Sequence, residues 1–75
     1  MLAYLMITLN CSREQEVYNL LKNMPEIKEV HILFGEWDLI ALVEVESTEH
    51  LGTFVIEKIR SLPEVELTST MIVAK

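Results

Sequence analysis

The sequence predicts an α+β fold in which a four-stranded antiparallel sheet carries two helices on one face. Three observations predict it. The hydrophobic period switches between 2 and 3.6 in the order strand, helix, strand, strand, helix, strand. Both helical stretches end on matching segments, Leu21-Lys22-Asn23-Met24-Pro25-Glu26-Ile27 and Arg60-Ser61-Leu62-Pro63-Glu64-Val65, so the chain reads as two β-α-β halves. Two strands are apolar on both sides, as strands covered above and below are.

The first strand is Ala3 to Leu9, rich in Tyr, Leu, Ile and Thr and stopped by Asn10-Cys11-Ser12. Tyr4 and Met6 lie on one face, Leu5, Ile7 and Leu9 on the other. Ser12-x-x-Gln15 has the form of a capping box, with Glu14 and Glu16 in the first turn of the helix that follows. Val17, Leu20, Leu21 and Met24 give that helix an apolar stripe over about three turns, and Pro25 ends it.

Val30 to Phe34 reads as the second strand and Leu39 to Glu46 as the third. Between them Gly35-Glu36-Trp37-Asp38 makes a hairpin turn, since glycine supplies a positive φ and a short carboxylate can bond nearby N–H groups. Leu39, Ala41, Val43 and Val45 share one face of the third strand, and Ile40 and Leu42 begin the other. Ser47 or Thr48 caps the second helix, whose stripe is Leu51, Phe54, Val55, Ile59 and Leu62. Gly52 inside it marks either a close neighbouring backbone, the favoured reading, or a site where glycine is merely tolerated. Pro63 stops this helix, and Val65 to Ala74 is the last strand, Leu67, Ser69, Met71 and Val73 alternating with Glu66, Thr68, Thr70 and Ile72.

The order β-α-β-β-α-β is the ferredoxin-like arrangement. Right-handed crossovers put both helices on one face and the first and third strands in the centre. The other face is left bare, with Tyr4, Met6, Ile40 and Leu42 or their alternates on it, more apolar surface than a soluble monomer usually exposes. The expectation is a dimer that stacks these open faces.

Size and composition agree. A chain of 75 residues is one domain, residues 1–75, and buries only about 60% of its unfolded surface alone. Cys11 is the only cysteine, so no intramolecular disulfide helps, and yet 51% of residues are hydrophobic. Burial between chains resolves that combination. The charge of −6 and pI near 4.7, with six scattered basic residues, argue against nucleic acid. No apolar run reaches the ~18–20 residues of a membrane span, and no basic leader opens the chain. A cytoplasmic location is expected, with neither membrane nor direct nucleic acid as partner.

Catalytic sets are sparse. His31 and His50 lack partners at ligand spacing and read as surface residues, Cys11 reads as a small residue in a strand-to-helix turn, and no glycine pattern cradles phosphate. No catalytic residue, metal or cofactor is expected. What remains is the turn, with the sole tryptophan and sole aspartate of the chain, and the run Thr68-Ser69-Thr70. The threonines alone fit plain strand preference. Together with Gly35 and Asp38 they offer what an amino acid needs: a carboxylate for its ammonium, and N–H and hydroxyl donors for its carboxylate.

The run Gly35-x-x-Asp38 before an apolar strand, with the close Pro63-x-Val65-x-x-Thr68-x-Thr70-x-Ile72-Val73, resembles the C-terminal effector (RAM) domain of the Lrp/AsnC family of amino-acid-responsive regulators. The likeness runs over the whole chain and includes no N-terminal helix-turn-helix, which implies an effector module without a DNA-binding domain. The resemblance further implies dimers built through sheet faces, higher assemblies of those dimers, and an amino-acid site between dimers. Carried over by position, Gly35 and Asp38 match the turn and Thr68 and Thr70 the hydroxyl positions of the last strand. Trp37 stands where the family often has a smaller ring, and an indole can either close the pocket or cap a ligand.

The leading expectation is therefore a non-enzymatic homo-oligomer that binds a small amino acid through Gly35, Trp37, Asp38, Thr68 and Thr70, and modulates a full-length Lrp/AsnC-type regulator by co-assembly. The rivals are a small dimeric α/β-barrel enzyme acting on an apolar substrate, with Tyr4 and Thr8 in its cavity, and a structural oligomer without ligand.

Overall fold

The computed structural model describes the chain from Met1 to Lys75. The order is β1 (Leu2–Leu9), α1 (Glu14–Lys22), β2 (Ile27–Ile32), β3 (Leu39–Glu44), α2 (Thr48–Phe54) and β4 (Val65–Ile72). A π-helical turn, Val55–Ile59, prolongs α2 and closes with the Arg60 N–H donating to the Val55 carbonyl at 2.8 Å. The four strands form one antiparallel sheet in the order β2-β3-β1-β4, with the doubly apolar β1 and β3 in the centre.

Register sorts the side chains. Ala3, Leu5 and Ile7 lie opposite Val43, Ala41 and Leu39 of β3, and these six are buried under the helices. Val17 and Leu21 of α1 and Leu51, Phe54, Val55 and Ile59 of the second helix meet them, and all 16 buried residues are hydrophobic. The opposite face carries Leu2, Tyr4 and Met6 of β1, opposite Glu44, Leu42 and Ile40 of β3, while Leu67, Ser69 and Met71 of β4 lie opposite Thr8, Met6 and Tyr4. Tyr4 is 41% exposed, Met71 48% and Leu67 60%. The bare apolar face is as expected.

Several local expectations need correction. Ser12 does not cap α1: Arg13 occupies the cap position without a side-chain bond, and Gln15 donates instead to Asn19 Oδ1 at 3.1 Å. Ser12 lies one residue too early to reach the open N–H groups of the first turn. Leu20 is exposed, because a turn of about 3.6 residues places it some 80° from the line midway between Val17 and Leu21. The second strand lies earlier than Val30–Phe34. A bulge at Lys28 lets pairing begin at Ile27, and at the other end Phe34 leaves the sheet for solvent. β3 stops at Glu44, although Val45 stays buried as its alternation requires. A Cβ on Gly52 would meet nothing within 4 Å, so no backbone approaches closely there.

The cap of α2 is as expected. Ser47 accepts the His50 N–H at 3.1 Å, and His50 Nδ1 accepts the Glu46 N–H at 3.3 Å.

Candidate functional site at the hairpin turn

The turn between β2 and β3 is pinned at both ends. The Leu33 N–H donates to the Asp38 carbonyl at 2.8 Å, closing the hairpin, and the Asp38 N–H donates to the Ile7 carbonyl at 2.9 Å, fixing the turn to central β1. Asp38 Oδ2 accepts the Leu9 N–H at 2.7 Å, the length of a charge-assisted bond. A side-chain oxygen thus serves as acceptor where β3 no longer provides backbone to pair with the end of β1.

Between those pins the backbone is free. Gly35 has φ +150°, a conformation L side chains rarely adopt, and the N–H groups of Phe34, Gly35, Glu36 and Trp37 have no acceptor within the chain. Asp38 Oδ1 likewise has no hydrogen-bond partner. Trp37 is half-buried, while Phe34 is fully exposed at the tip. The turn therefore presents N–H donors, one carboxylate oxygen and aromatic surface on a rigid base.

The threonines lie elsewhere. Thr68 and Thr70 of β4 are opposite Ile7 and Leu5, on the helix-facing side, Thr68 half-buried and Thr70 exposed. β1 separates them from the turn, and two sheet spacings make that separation about 10 Å. One protomer thus unites Gly35, Trp37 and Asp38 and holds Thr68 and Thr70 apart. Phe34, expected as the last residue of the second strand, belongs to the turn instead, as its position directly before glycine signals.

The residues assigned to a rival enzyme are on the open face, but the Thr8 hydroxyl is engaged, accepting the Leu67 N–H at 3.1 Å where β1 and β4 shift register. His31 and His50 are both exposed.

Fold and turn together define a class: a ferredoxin-like domain with a bare sheet face and a polar hairpin turn. The chain belongs to the Lrp/AsnC family, residues 2–75 matching the Lrp/AsnC ligand binding domain. It is 36% identical over 75 residues to the HTH-type transcriptional regulator FL11 of Pyrococcus horikoshii, covering 100% of this chain and 49% of that one. The chain thus spans about half the length of this curated relative. A solved hypothetical protein of Pyrococcus horikoshii matches with a TM-score of 0.91 at 40% identity, over 99% of this chain and 89% of that one. A transcriptional regulator of Neisseria meningitidis in complex with L-Met shares the fold, with a TM-score of 0.89 at 18% identity over 99% of this chain and 49% of that one.

Proposed function

We propose that this chain is a non-enzymatic module of cytoplasmic transcription regulation that binds a small amino acid at an interface between its own subunits. The observation that carries the reading is the turn: N–H groups free from Phe34 to Trp37 beside a carboxylate whose one oxygen is anchored and whose other is open. Asp38 Oδ1 would take the ammonium, the Gly35 backbone the carboxylate, and Trp37 a wall. Thr68 and Thr70 would join from a neighbouring protomer, because their own lies about 10 Å from the turn across β1. Dimers stack through the face around Met6 and Leu42, and a ligand touching two subunits favours their assembly. A full-length Lrp/AsnC-type regulator that accepts this module into its own assembly would be modulated through it.

Calorimetry against the amino acids tests this, starting with L-methionine, the ligand of the Neisseria regulator. The informative variant is Asp38→Asn, whose amide oxygen can still accept from Leu9 while the charge is gone. Binding lost in this variant supports the site. No heat with any amino acid at millimolar concentration, or equal binding by the variant, refutes it.

A further inference from the structure

The fold has one concavity, and it lies away from the hairpin turn. It has a volume of about 230 Å³ and follows the outer edge of β2 under the flank of α1. We propose that this groove is a second ligand site, for a small carboxylate bearing one compact apolar group.

Its construction follows from helix pitch and sheet order. β2 is an edge strand, so nothing pairs with its outer side. Tyr18 projects about 80° from the line midway between the buried Val17 and Leu21, on the opposite flank from Leu20, and Lys22 follows one turn later. Both overhang the edge, while Ile27 and Val30 form an apolar floor.

The charges in the groove run against the rest of the molecule. Two of the six basic residues of a chain with net charge −6 line it. No carboxylate lies within 4.0 Å of the Lys22 ammonium, which stands 5.7 Å from the centroid of the Tyr18 ring. Lys28 is 2.8 Å from Glu44, and the exposed Glu29 is 3.4 Å from His31, a contact that offsets its charge only when the imidazole is protonated. Lys22 is the free cation.

The strand adds a donor. The Leu33 N–H pairs inward with Asp38, and in an antiparallel ladder alternate residues pair the same way. His31 and Glu29 therefore turn their backbone groups toward β3, and Val30 turns its N–H and carbonyl to the open edge. A carboxylate lying there meets the Lys22 ammonium and the Val30 N–H, with its apolar group against Tyr18, while the Lys28 ammonium stays with Glu44 on the open face. The volume is below the ~300 Å³ typical of sites for drug-sized ligands, which selects a single ring or short branched chain.

The test is an amide NMR titration of the intact protein with phenylacetate, alongside 2-phenylethylamine, which keeps the ring and reverses the charge. Saturable shifts at Tyr18 to Lys22 and Lys28 to His31 with phenylacetate alone are expected, with affinity about tenfold weaker in Lys22→Ala and restored in Lys22→Arg. Equal response to the amine, shifts centred on Phe34 to Asp38, or a Lys22→Ala variant that binds like the parent would overturn the proposal. So would binding of an extended acidic peptide that protects the Val30 and Ile32 amides while phenylacetate shifts nothing, since the groove would then be a strand-docking edge.

Discussion

The Asp38 carboxylate accepts the Leu9 N–H at 2.7 Å across 29 residues of chain, joining the turn that offers free donors to the end of a central strand. One side chain thus carries a structural bond on one oxygen and leaves the other without a partner. The two roles separate by mutation. Asp38→Ala leaves the part-buried Leu9 N–H without an acceptor and should cost about 1.5–3 kcal/mol, the range for a bond to a charged group. Asp38→Asn should recover most of that in urea denaturation while remaining unable to hold an ammonium. Equal stability of Asp38→Ala and the parent would show that water replaces the carboxylate.

Gly35 tests the turn differently. Its φ of +150° is costly for any residue with a Cβ, yet a Cβ there would meet nothing within 4 Å. Gly35→Ala should therefore lose about 1–3 kcal/mol from backbone strain alone, without repacking of the core. Thermal unfolding reads this as a drop of about 4–8 °C per kcal/mol in a domain of this size. A melting temperature unchanged by the substitution would mean that the turn relaxes to a negative φ.

Met6 and Leu42 sit on the two central strands with their side chains on the face away from the helices. A glutamate in place of Met6, or a lysine in place of Leu42, would put an unpaired charge in the middle of the proposed stacked interface and should yield monomers in sedimentation velocity. The core on the other face is untouched, so circular dichroism should stay that of a folded protein. A parent that sediments as a monomer at micromolar concentration would defeat the stacked-face model.

How much of this was readable from the letters alone depends on whether side-chain period or pairing decided it. The apolar alternation of β1 and β3 sorted Leu5, Ile7, Ala41 and Val43 onto one side and Tyr4, Met6, Ile40 and Leu42 onto the other, and the register agrees; which side lies under the helices is decided by burial. Boundaries set by partners were not legible. β2 begins at Ile27 because a bulge at Lys28 shifts the register, a property of the pair and not of the strand's own residues. The cap of α1 failed for a one-residue offset that Ser12-x-x-Gln15 does not reveal. At the site, Gly35 and Asp38 were legible as a turn, but their distance from Thr68 and Thr70 comes only from strand order.

Gly52 lies inside α2, exposed and with open space where a Cβ would be. Gly52→Ala removes backbone freedom from the unfolded chain and adds no clash, so it should stabilise by about 0.5–1 kcal/mol. A higher midpoint in denaturant with an unchanged slope is the expected result. Destabilisation would reveal that another copy of the chain packs against this helix.

Lys28 and Glu44 provide a pH signature for the corner of the open face. The side-chain hydrogen bond from Lys28, at 2.8 Å, and then its positive charge hold the Glu44 carboxyl below its ordinary value of 4.5. A carboxyl lowered in the folded state contributes stability that is fully present above its unfolded value and is lost as pH falls through the folded one. The contribution of this pair should therefore persist at neutral pH and fade only below about 4.5. Both side chains are about half exposed, so the effect should be small and weakened by salt. Carboxyl-detected NMR of the parent should place the Glu44 midpoint below that of a free glutamate, and Lys28→Ala should return it toward 4.5. If the midpoint does not move in the variant, the ion pair is not formed in solution, and Lys28 is as free as Lys22 to meet a carboxylate at the edge of β2.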